Sequence, residues 1–268
     1  MRTCSLHTLV ICLCVVSLVG CDSGGSPTGT DPGTPGGGDG GGGSTPAFSS
    51  REAPGDSARS FLDDTNFTVL ALEVDYMTGY RPEDTALADL RSELVQHLDK
   101  ASITVESLTE IPAAGQDTYS TNDIVDLEDQ YRDAYTETRS DTLWAYVLFV
   151  DGKFTTQNVV GIAYYNTSQA FFGQTIEEIS GGVTQPSKAN VEATVLRHEF
   201  GHNLGLVNNG TSMQQDHQDD PNGAHCTNDQ CVMYYSIETT NFFGNAFDGS
   251  VPGFEQFCTE DMDAIASQ

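Results

Sequence analysis

Between residues 67 and 204 the spacing of apolar positions changes repeatedly, and each change marks an element. Phe67-Thr68-Val69-Leu70-Ala71-Leu72-Glu73-Val74 is rich in branched and aromatic residues and reads as a buried strand. A helix follows, started by Pro82, Glu83 and Asp84, with Leu87, Leu90, Leu94 and Leu98 recurring at helical spacing through Lys100. The stretch from Ile103 to Leu108 alternates like a strand, and Ile124, Leu127 and Tyr131 suggest a second helix over Thr121 to Tyr135. Thr142 to Val150 is the strongest strand, turned by Asp151-Gly152, and Val159 to Tyr165 is another, before the apolar segment Ala170-Phe171-Phe172. A Gly-Gly and Pro-Ser break then leads into a helix from about Asn190 to Leu204, capped by Ser187 or Asn190, with Val191, Val195 and Leu196 on its buried side.

This order predicts an α/β fold of the α+β kind, a mixed twisted sheet with packed helices and a C-terminal helix closing the chain. There is no internal repeat. Beyond the first twenty residues there is no apolar run of transmembrane length.

The N-terminal residues read differently. Arg2 and the apolar run Leu9 to Leu18 make an export signal over residues 1–20, and Leu18-Val19-Gly20-Cys21 resembles the bacterial lipobox. That resemblance implies cleavage before Cys21 and lipidation of its thiol and amino group, hence a membrane anchor without a span, in the cell envelope on the periplasmic side or the cell surface. Residues 21–60 carry a Gly-, Ser- and Pro-rich stretch with little apolar surface to bury, the composition of a disordered tether, and the globular domain is expected over 61–268.

Charge excludes one class of partner. With 39 acidic residues against 11 basic ones the net charge is −28, a field that repels phosphate backbones, so nucleic acid is not an expected partner. Of seven cysteines, Cys4, Cys12 and Cys14 leave with the signal, Cys21 carries lipid, and Cys226, Cys231 and Cys258 remain. In an exported protein these three permit one disulfide, or all three join a metal site.

The chemistry is concentrated in His198-Glu199-Phe200-Gly201-His202-Asn203-Leu204-Gly205, an HExxHxxG run. On a helix, His198 and His202 turn toward one zinc ion while Glu199 sits beside it as a general base, and Gly205 ends the helix by taking a left-handed conformation. Zinc held by three protein ligands brings the pKa of its water to about 7. The third ligand is open. Asn208 is a poor donor, His217 and His225 are the nearby histidines, and Glu238 or Glu255 would serve if a later carboxylate were used. Asp216, Asp219 and Asp220 form an acidic cluster whose oxygens suit calcium, although a solvated loop explains them as well.

HExxHxxG followed by Met233 resembles the metzincin peptidases, and His225-Cys226 with Cys231 and Met233 is similar to the archaemetzincin pattern of His, Cys, four residues, Cys, one residue and Met. The resemblance implies a zincin-like fold and His225 as third ligand, with residues 208–224 as an insertion. It also implies that Met233 forms an apolar floor under the histidines. Archaemetzincins hold a second zinc with four cysteines. Only Cys258 follows Met233 here, so the expectation is a disulfide among Cys226, Cys231 and Cys258 in place of that ion. Tyr235 stands where related turns carry a tyrosine that reaches the metal or the tetrahedral intermediate. The expected activity is peptide-bond hydrolysis on an extended peptide or protein paired with an edge strand between Val159 and Phe172. The alternative is a tethered binding protein of peptidase descent.

Overall fold

The computed structural model describes residues 48–137, 139–245 and 249–266. The expected export signal, Cys21 and the expected tether up to residue 47 lie outside them. In chain order the elements are α1 (Ala58–Leu62), β1 (Val69–Met77), α2 (Asp84–His97), β2 (Ser102–Val105), β3 (Thr109–Ile111), β4 (Thr118–Tyr119), α3 (Thr121–Tyr131) and β5 (Thr142–Val150). They continue with β6 (Lys153–Phe154), β7 (Gly161–Tyr165), β8 (Ser168–Phe172), α4 (Gly173–Ile179), α5 (Lys188–Asn203), α6 (Thr240–Asn245) and α7 (Gln256–Ala266).

The main sheet has the order β2-β1-β5-β8-β7, with β3 also on the outer side of β1. All of its pairings are parallel except the last, where β7 runs antiparallel to β8. This is the mixed sheet that the apolar pattern predicts. β5 is central, and its unbroken apolar run serves both faces, as expected for a strand buried on two sides. Leu143, Ala145, Val147 and Phe149 join the core under α2, α5 and α7, while Tyr146, Leu148 and Val150 join Tyr119 and Ile124 on the α3 side.

Three details depart from expectation. The strand read over Ile103–Leu108 stops at Val105 as β2, beside Val69–Leu72, and a second short strand, β3, follows it beside Asp75–Met77. Between them the Glu106 N–H still reaches the Leu72 carbonyl. The helix read to Tyr135 ends at Tyr131, because the Arg132 guanidinium turns inward to Glu128 at 2.9 Å and to the Trp144 carbonyl. The folded unit also begins before residue 61. Phe48 packs on Phe67, Phe61 and Leu62 are buried, and the Asn166 side chain donates to the Ser49 carbonyl at 2.8 Å.

Two ties set α5 under the β7 end of the sheet. The Gln169 amide donates to Asn203 Oδ1 at 2.6 Å, and the Asn203 amide donates to the Tyr165 carbonyl at 2.8 Å. At the other end, the Ser187 hydroxyl accepts the Asn190 N–H and starts the helix. Glu192, wholly buried on this helix, accepts the Glu83 N–H at 2.7 Å where α2 begins.

Burial raises the Glu192 carboxyl to about 7. The folded state therefore favours the protonated form. Its stabilisation is full below the ordinary carboxylate range and is lost as pH rises through 7. Chemical denaturation of wild type and Glu192→Gln should show a difference that changes by about 3 kcal/mol between acid and neutral pH. Parallel pH curves for the two proteins would contradict this.

Candidate metal centre

Helix α5 places His198 and His202 one turn apart, with their Nε2 atoms 3.3 Å from each other. Gly205 then reverses the chain at φ +68, where a Cβ would stand 2.8 Å from the Ala58 Cβ and from the Thr211 nitrogen. The next residues loop outward. Asn208 spends its amide on Gln218 Oε1 at 3.4 Å.

The loop is brought back by short pairings, Gln218 with Cys226 antiparallel and Cys226 with Tyr234 parallel. They deliver His225 to the helix, its Nε2 3.3 Å from that of His198. The Nδ1–H of His198 donates to the Val232 carbonyl at 2.6 Å and that of His225 to the Asn222 carbonyl at 2.7 Å. With both protons held on Nδ1, the Nε2 lone pairs of His198 and His225 face each other. Lone pairs 3.3 Å apart repel unless a cation lies between them, so this donor set fits a metal ion. Burial, reinforced by the neighbouring imidazoles, keeps the two helix rings neutral: His198 is pushed down to about 3 and His202 well below its usual range.

Met233 is wholly buried against α5 at Gly201. A Cβ on Gly201 would stand 2.1 Å from its sulfur, so the glycine inside the HExxH run is what lets the methionine reach the helix. Gly161 does the same on the sheet side, since a Cβ there would lie 3.1 Å from Glu199 Cγ.

Glu199 is 1 % exposed, receives a hydrogen bond from the Ala163 backbone, and has its Oε1 buried without a hydrogen-bond partner. Burial, and then the charge of Glu238, hold its pKa well above the carboxylate range. An unpartnered buried carboxyl oxygen costs about 1–3 kcal/mol.

The other candidates separate. Glu238, the end of a 3-10 turn Tyr235–Glu238, brings its Oε2 to 3.7 Å from His225 Nε2 and completes a group with His198, His202 and His225 whose donor atoms lie within 4.8 Å of one another. The sequence left His225 and Glu238 as alternatives, and both are present. Tyr235 opens the same turn, its ring packed against Tyr234 with centroids 4.8 Å apart. Glu255 belongs to neither donor group found among the described residues, nor do Asp216, Asp219 and Asp220, the calcium candidates.

His217 lies elsewhere, in a second buried group with Cys226 and Cys258. Its Nδ1 is 3.3 Å from Cys226 Sγ, and its Nε2 is 2.9 Å from Asp261 Oδ2. Burial pulls the His217 pKa down, but the bonds to Asp261 and Cys226 outweigh it and raise it. Cys231 joins through a contact of 3.6 Å between its sulfur and that of Cys258. The expected disulfide is not formed, and the three thiols are free and buried. Hydrogen bonds from Cys231 and Cys258 pull the Cys226 thiol far below its usual range and push its two donors up. One thiolate in a cluster of three thiols and an oriented imidazole is a donor set suited to zinc. Sequence reasoning missed Asp261, although Cys258 and Asp261 share a helix face at i, i+3, and it missed Gly161 and Gly201, which only packing makes necessary.

Comparison with known proteins places this arrangement. The crystal structure of archaemetzincin from Methanopyrus kandleri superposes with a TM-score of 0.50 at 15 % identity, covering 76 % of this chain and 98 % of that one. Metalloproteinase-II from Bacteroides fragilis gives a TM-score of 0.42 at 16 % identity, over 80 % of this chain and 61 % of that one. The first likeness shows the fold. The sequence description of metallo-peptidase family M12 (Reprolysin_5) matches residues 87–244, more than half of the chain and including both α5 and the return to His225. On that match, this chain, with its archaemetzincin-like fold, belongs to metallo-peptidase family M12.

Proposed function

We propose that this protein is a zinc endopeptidase of the metzincin type, with His198, His202 and His225 as the metal ligands and Glu199 as the general base. One observation carries the reading: two helix histidines and one loop histidine converge around a point beside a buried carboxyl oxygen that has no other partner. A zinc ion there supplies a Lewis acid for the scissile carbonyl and lowers the pKa of the attacking water. Glu199 accepts the water's proton and later hands it to the leaving amine. Met233 keeps the floor apolar, and the carbonyls of Val232 and Asn222 hold the His198 and His225 rings in the tautomer that leaves Nε2 free. Strand β7 ends the sheet order, and its outer edge offers an extended peptide the N–H and carbonyl groups for strand addition. Tyr235 is retained as a candidate donor to the developing oxyanion, tested by Tyr235→Phe.

The second donor group favours a further zinc with a structural role. The archaemetzincin resemblance supplies four cysteines for such an ion, and here His217 takes the place of the fourth, with Asp261 holding its other nitrogen. Arms of about 2.3 Å to sulfur set tetrahedral sulfurs roughly 3.8 Å apart, near the 3.6 Å between Cys231 and Cys258. The reading of residues 1–21 as a signal and a lipidated cysteine places the reaction in the cell envelope.

The test is metal removal. A protein spanning residues 48–268 should contain two zinc ions per chain, lose cleavage of an unfolded protein on treatment with a chelator, and recover it when zinc is restored. Cleavage that persists after both ions are removed would refute the proposed chemistry.

A further inference from the structure

A tetrahedral ion with arms of about 2.0–2.1 Å sets its donor atoms roughly 3.3–3.4 Å apart. The Nε2 separations from His198 to His202 and to His225 are both 3.3 Å, and Glu238 Oε2 stands 3.7 Å from His225 Nε2. Three histidines would leave the fourth vertex to water, which a hydrolytic metal needs. Here a carboxylate oxygen of the same chain lies within 4.8 Å of a nitrogen of each of the three histidines.

We propose that Glu238 is a fourth ligand that closes the catalytic metal in the resting enzyme, and that an extended peptide arriving along β7 displaces it. The proposal rests on the reading of His198, His202 and His225 as metal ligands. The main chain around Glu238 supports it. The Glu238 carbonyl accepts the Val160 N–H at 2.9 Å, and the Thr240 N–H donates to the Asn158 carbonyl at 3.0 Å, so that Val159 and Thr239 form an antiparallel bridge. Val160 runs directly into β7, whose first residue, Gly161, lies against Glu199. Residues 238–240 therefore occupy the sheet-edge position beside the reacting centre.

A peptide laid along β7 and continued toward Asn158 competes for the same N–H and carbonyl groups. It also brings a carbonyl oxygen to the vertex that the carboxylate holds. The exchange is one oxygen donor for another, with no covalent bond made or broken. The short turn from Tyr235 to Glu238, following closely on the buried Met233, limits how far the carboxylate can retreat and so favours its return after product leaves.

Cobalt(II) substitution reads the vertex directly. A metal carrying water changes its visible spectrum as that water ionises near pH 7, whereas a metal closed by four protein donors has no water to ionise. The wild-type cobalt protein should keep one spectrum between about pH 6 and pH 9, and Glu238→Ala should titrate with a midpoint of about 7. Cobalt at the cysteine group adds a constant background. Glu238→Asp, which keeps the charge and the turn but shortens the arm, should titrate like Glu238→Ala. The zinc dissociation constant should rise in both by at least the roughly 10–100-fold that loss of an outer partner costs. A wild-type spectrum that titrates, or variants that do not, would overturn the role of Glu238. If His198→Ala changes neither cobalt content nor spectrum, the histidine metal site itself fails, and the proposal falls with it.

Discussion

Replacing Glu199 by glutamine is expected to lower kcat/KM on a peptide substrate by roughly 100- to 10,000-fold, the range that a positioned general base contributes. Zinc content should stay unchanged. Glu199 lies next to His198 in sequence but outside the donor group formed by the three histidines and Glu238. The amide is isosteric, and its oxygen can keep the hydrogen bond from the Ala163 backbone. What it cannot do is accept a proton at the position now held by the unpartnered Oε1. The measurement is steady-state cleavage together with zinc per chain and a circular dichroism spectrum. Equal rates for the two proteins would exclude Glu199 as the base, whereas loss of zinc along with activity would make it a supporting residue.

Substituting the two loop histidines should remove different ions. His225→Ala takes away one of three imidazoles that meet at Nε2, so the chain should retain the cysteine-bound zinc, lose the catalytic one and fall to background cleavage. His217→Ala should do the reverse in metal content and strike stability. It takes the imidazole from Oδ2 of Asp261, which is wholly buried and keeps only the Gln214 N–H on Oδ1, and it opens the cysteine group. Breaking a buried, charge-assisted contact of this kind costs on the order of 3–5 kcal/mol. In a domain of this size that lowers the thermal midpoint by about 10 °C. If His217→Ala lost the catalytic ion and His225→Ala did not, the assignment of the two histidines would be reversed.

Much of the fold is legible from apolar periodicity, because each strand and helix buries a face that its own residues define. β1, β5 and α5 fall where the pattern places them, since long apolar runs and a capped helix are local properties. β8 is harder to see. Ser168 and Gln169 are polar, yet they are buried between β5 and β7 by bonds to Arg132 and Asn203 that no local pattern signals. The packing of residues 48–60 is hidden for a similar reason. Their Gly, Ser and Pro content resembles a tether, but backbone contacts at Asn166 and Asn209 hold them.

The site divides the same way. His198, Glu199, His202 and Gly205 are determined locally, because a helix alone brings residues four apart onto one face and a glycine alone turns the chain after them. Which later residues join them depends on the path of the loop between residues 206 and 224, whose returning bridges carry His225 inward and leave His217 with the cysteines. The same path keeps the three thiols free and brings Glu238 to the fourth vertex. Metal donors separated by twenty or more residues are chosen by where the backbone returns, and that is a property of packing and long-range hydrogen bonds. The catalytic class is thus written in eight consecutive residues, while the full set of ligands, and with it the closed state inferred for the metal, exists only in the folded chain.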